Sequence, residues 1–201
     1  MRTGKKENEI SSGIFLLIII LLIGVAIGTV MIKYSTDTQL DYLKQITDDY
    51  ISLHHSGSMI KIFCSSLVSS GIFLLIAFFV GYFALGKPVS LFIPLFKGLG
   101  LGVCMADIFS RYGKDGFKIS LILIIPSAIL SSFAVVFASR QAGRNSSEIF
   151  SYICGRPIKT DDNQNGISFS NYIIKFTAFF ALALLGAILD AILSHFFGSI
   201  L

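Results

Sequence analysis

The chain has 201 residues, of which 54% are hydrophobic and only 14% charged. Its mean hydropathy is +0.78. Soluble domains carry about 25% charged residues, so this composition excludes a soluble globular enzyme, a disordered chain and a disulfide scaffold. The formal net charge of +4 points to cytoplasmic loops beside anionic headgroups rather than to nucleic acid.

In chain order, the first apolar run is Ile14 to Ile32, preceded by Arg2, Lys5 and Lys6. At about 1.5 Å per residue it matches the ~30 Å hydrocarbon core. Ala26-Ile27-Gly28 would pass as a signal-peptide cleavage site. The apolar stretch runs on past it, so a retained span is expected. The second run is Ile62 to Leu85, and the third is Val89 to Phe109 with Lys97 and Asp107 inside it. The fourth is Ile119 to Ser139, where Pro126 should introduce a kink. The fifth is Ile173 to Phe197, with Asp190 near its end. Backbone groups in lipid need internal partners, and the alternating strands of a barrel are absent. The expected fold is therefore all-α, a single membrane domain of five transmembrane helices.

Two polar loops interrupt the runs. Thr38 to His54 reads as an amphipathic helix lying between the first two spans. Leu40, Leu43, Tyr50 and Ile51 fall on one face, and Asp41, Lys44, Asp48 and Asp49 on the other. That apolar face is a candidate docking surface for a partner. The second loop, Arg140 to Tyr172, contains a short helix near Ser147 to Ile153 that Gly155 should end. Asn145-Ser146-Ser147 matches a glycosylation acceptor but falls on the expected inner side. With the N-terminus inside, eight Lys and Arg flank the inner ends and six the outer. This small margin favours a cytoplasmic N-terminus and an external C-terminus. Tyr34, Tyr82, Tyr112 and Tyr172 sit at span edges, where an interfacial belt would place them.

The sequence contains no GxSxG, HExxH or phosphate-loop pattern. Cys64, Cys104 and Cys154 have no paired spacing and read as small packing residues. His54-His55 lacks companion ligands, so no metal or other cofactor is expected. Gly98-Leu99-Gly100-Leu101-Gly102 lies in mid-membrane. Gly98 and Gly102 form a small-xxx-small face for close helix packing, or else the glycines break the span as in some transporters. Gly24 with Gly28, Ser66 with Ser70, and Ala183 with Ala187 and Ala191 make similar faces. These faces fit a compact bundle, a homo-oligomer or a partner's span. Lys97, Asp107 and Asp190 are costly within a membrane, about 2.5–3.5 kcal/mol each at a helix centre. They read either as bonds between helices or as an ion or substrate path.

The chain resembles the stage II sporulation protein M family. The resemblance rests on its size, its basic N-terminus and the glycine-spaced end of the first span, Leu22-Ile23-Gly24-Val25-Ala26-Ile27-Gly28. It continues through the long first loop, Phe96-Lys97-Gly98-Leu99-Gly100-Leu101-Gly102, Gly113 and Gly116, and the aliphatic run into Pro126. Membership would imply a multi-pass cell-membrane protein of a spore-forming bacterium. It would act in forespore engulfment, with stage II sporulation proteins D and P as partners. Its role there would be to anchor these peptidoglycan hydrolases without catalysis of its own. The competing class is a small permease, or a transporter's membrane subunit, using a glycine-broken third span.

Overall fold

The computed structural model describes residues 3–34, 59–119, 124–155 and 169–197. These form five helices: α1 (Thr3–Tyr34), α2 (Met59–Val80), α3 (Gly86–Ile119), α4 (Ile125–Ile153) and α5 (Phe169–Phe197). No strand occurs among the described residues. The Thr38 to His54 segment, with Leu40, Leu43, Tyr50 and Ile51, lies outside them.

Among the described residues, four helices are long and apolar enough to cross a membrane: Gly13–Tyr34, Met59–Val80, Gly86–Ser110 and Ser170–Phe196. The fourth expected span is not among them. Its helix begins at Ile125 in the described residues and runs on to Ile153, so polar residues after Ser139 dilute its apolar half. It nevertheless runs the length of the bundle. Its start packs near Ile108 and Leu193, and its far end bonds the α2–α3 turn. α4 also touches every other helix. Ala134, Val135, Ala138 and Ser139 are fully enclosed. Neighbouring helices cover much of this helix, although Ile129 and Phe133 stay exposed, and that cover relaxes the demand for apolar composition.

Several boundaries differ from expectation. Pro126 occupies the first turn of the described part of α4, and residues 120–123, on which the expected kink depends, lie outside the described residues. Its missing N–H costs little there. Ser127 and Ser131 donate to the carbonyls of Ile124 and Ala128 at 3.1 Å each. The second run ends at Val80, five residues early, because Gly81 to Leu85 make a tight connection closed by backbone bonds such as Gly86 N–H to Phe83 O at 3.0 Å. A Cβ at Gly81 would overlap the Tyr172 hydroxyl, and one at Gly86 would overlap the Val80 carbonyl. The apolar part of α3 ends at Ser110, as expected, and beyond a kink at Gly113 (φ 56°, ψ −127°) a further helical stretch reaches Ile119. α4 absorbs the short helix expected at 147–153, and Gly155 ends it in the left-handed region (φ 62°).

Contact register fixes the directions. Gly98 of α3 faces Leu21 of α1, and Gly102 faces Val25, so α1 and α3 run parallel. α2 and α4 run opposite to them, and α5 runs with them. One end of the bundle therefore gathers the start of α1, the α2–α3 turn, the end of α4 and the start of α5. The main apolar core lies among α2, α3, α4 and α5, around Leu74, Ile93, Val135 and Phe176. α1 packs outside it, on α3 and α4.

Candidate functional site

Three sets of interhelical joints hold the bundle, and they include Lys97, Gly98, Gly102, Asp107 and Asp190. The first is a glycine seam. Added Cβ atoms at Gly24 and Gly28 would overlap the carbonyls of Leu95 and Leu99. Those at Gly98 and Gly102 would overlap the carbonyls of Leu21 and Val25. Four glycines from two helices thus allow backbone to touch backbone, gaining dispersion and Cα–H···O contact. α3 is helical throughout Gly98 to Gly102. The glycine run is a packing surface, and the expected alternative of a break at this point does not hold.

The second set is a buried charged cluster. Lys97, Asp107 and Asp190 are 7%, 1% and 2% exposed, well below what lipid contact or snorkelling would leave. The Lys97 ammonium donates to Ser70 Oγ of α2 at 3.4 Å and lies 5.4 Å from the Phe73 ring centroid. Lys97 thus bonds α3 to α2, and Asp107 and Asp190 are buried on α3 and α5. The side chain of Arg111, one helical turn beyond Asp107, lies outside the described ones. Among the described residues, no group of three or more His, Cys, Asp and Glu could hold a metal ion.

The third set is a polar clamp at the opposite end from the Lys33 terminus of α1, and sequence reasoning missed it. Asn145 Nδ2 donates to Gly81 O at 2.9 Å. Ser146 Oγ donates to Ala84 O at 3.2 Å and accepts from Lys87 N at 2.8 Å. Tyr172 Oη donates to Phe78 O at 3.0 Å. Asn145 is 6% exposed, which removes it as a glycosylation acceptor. Tyr172 is buried among Phe78, Tyr82 and Phe176, with ring centroids 4.7–5.4 Å away. Tyr172 and Tyr82 thus serve the core rather than an interfacial belt, whereas Tyr34 is exposed. Asn145 and Ser146 looked like loop residues because their side chains are polar. The signal available was their spacing from Ala138 and Ala142 on one helical face.

Small residues of α5 complete the packing. Ala183, Ala187 and Ala191 are all buried, and a Cβ on Gly186 would meet Leu130 and Ser131 of α4 at 3.4 Å. Cys64 and Cys154 are exposed and Cys104 is half-buried, all as free thiols. Exposure removes the first two from the role of packing residues.

A search of curated proteins and one of solved structures each returned no match. The family model for Stage II sporulation protein M matches residues 17–195. That stretch holds the glycine seam, the charged cluster and the clamp, and the chain belongs to the Stage II sporulation protein M family.

Proposed function

We propose that this chain is a non-catalytic membrane scaffold that holds peptidoglycan hydrolases at the site of forespore engulfment. Stage II sporulation proteins D and P are the expected partners. One observation carries the reading: the polar side chains at depth lie at joints between helices. Lys97 bonds Ser70, Asn145 bonds Gly81, Ser146 bonds Ala84, and Tyr172 bonds Phe78. A bundle braced this way suits an anchor that must keep its shape while partners pull on it. The rival reading, a small permease, rests on the depth of Lys97 and Asp190.

The test is purification of the tagged protein from sporulating cells in mild detergent, followed by mass spectrometry. Recovery of hydrolases is the expected result, and their loss after Leu43→Asp with Ile51→Asp would locate the dock on the first loop. An ATPase subunit in their place would overturn the scaffold reading. So would substrate flux in vesicles that Lys97→Met abolishes without loss of folded protein.

A further inference from the structure

We propose that the cleft between α1 and α4, floored by α3, is a binding site for one anionic phospholipid. Two cavities make up this cleft. The inner one, about 430 Å³, is lined almost wholly by apolar atoms, including those of Ile18, Val25, Leu101 and Phe133. The outer one, about 790 Å³, is lined by Thr29, Lys33, Phe109 and Ser110 among others. Met105 and Ile125 border both, so the two form one continuous channel along α1. From Ile18 to Lys33 it follows about 22 Å of helix at 1.5 Å per residue. An apolar trough thus leads to Lys33 at the end of α1 with Ser110 of α3 beside it, while the Thr29 hydroxyl donates to Val25 O at 2.9 Å. Within a bilayer such a trough suits an acyl chain. Its mouth carries one positive charge and no carboxylate among the lining residues, so it complements a phosphate. A transmembrane partner helix would fill the trough but bring no phosphate to Lys33, whose ammonium lies 6.0 Å from the Tyr34 ring centroid. The site is independent of any hydrolase partner.

The chain contains no tryptophan, so one introduced indole is the sole such fluorophore. Phe133→Trp places it in the inner trough, and Ile129→Trp serves the same trough if the first variant folds poorly. Phe79→Trp, on the exposed face of α2, reports ordinary surrounding lipid. Each variant is reconstituted in phosphatidylcholine vesicles containing a small fraction of brominated-chain lipid, either phosphatidylglycerol or phosphatidylcholine. The expected result is quenching at Phe133→Trp with about fivefold preference for the anionic lipid, the factor one cation supplies beside an anionic headgroup. Lys33→Gln should reduce that preference to parity, and Phe79→Trp should show parity throughout. Parity at the trough would overturn the proposal in favour of unselective lipid. Absence of quenching there would overturn it in favour of a protein segment or a second copy of the chain.

Discussion

A single methyl group is enough to test the seam between α1 and α3. Gly98→Ala puts a carbon into the Leu21 carbonyl, and Gly24→Ala does the same at Leu95. Neither backbone can yield without moving its helix, so each variant should lose about 1–3 kcal/mol. Thermal unfolding in detergent, followed through the partly covered Cys104 thiol, measures the loss. Gly100→Ala is the matched control, because nothing lies within 4 Å of its Cβ position, and it should unfold no earlier than the parent. Lys97 provides a different test. Lys97→Met removes the buried bond to Ser70 Oγ, a change that costs about 1–3 kcal/mol. If the variant were as stable as the parent, that bond would have no structural part. The spacing of Gly24, Gly28, Gly98 and Gly102 was readable in the sequence, but their pairing was not. A small-xxx-small face records that something packs closely, and the partner is decided by helix order and direction. The depth of Lys97 and Asp190 was equally readable. Ser70 as a ligand was hidden, since one serine among several on α2 carries no distinguishing mark.

At the scale of helices, α4 departs most from a reading based on apolar runs. Such a reading assumes lipid on the outside of every span. Protein covers the face of α4 that carries Ser127, Ser131, Asn145 and Ser146, so these polar residues are tolerated and used. The run ended at Ser139 because Arg140 and Gln141 are polar, yet the helix extends to Ile153. Arg144 and Glu148 point outward while Ala142, Asn145 and Ser146 point inward. That is helical periodicity, partly hidden by a mixed polar face. Asn145→Ala removes the donor to Gly81 O and leaves a buried carbonyl short of a partner, at a cost of about 1–3 kcal/mol. Hydrogen exchange should then rise first in the Gly81 to Leu85 connection and stay low at Val135. Uniform exchange across α2, α3 and α4 would mean that the clamp acts on the whole bundle at once.

For the whole molecule, alternating helix directions place Cys154 at the end that holds the start of α1. We propose, from the small excess of Lys and Arg there, that this end is the cytoplasmic one. With Cys64 and Cys104 replaced by serine, a membrane-impermeant maleimide should label Cys154 in inside-out vesicles and leave intact cells unlabelled. Labelling of intact cells would invert the topology and move the lysine mouth of the lipid cleft to the inner leaflet. The apolar runs made the helical class and membrane setting legible at this scale. They could not reveal that α1 stands apart on two neighbours, because burial is a property of the assembled bundle.

That position of α1 bears on how the protein enters its membrane. Its window is the most apolar of the four, and its glycine partner on α3 is made only after α2 and the turn have followed. α1 must therefore partition into lipid alone and wait there for its mate. α4 is in the opposite position: α1, α2 and α3 have already been made when it emerges. Biogenesis should thus tolerate polar changes on the outward face of α1 poorly. The same changes in α4 should be absorbed as long as the earlier helices are in place to receive it.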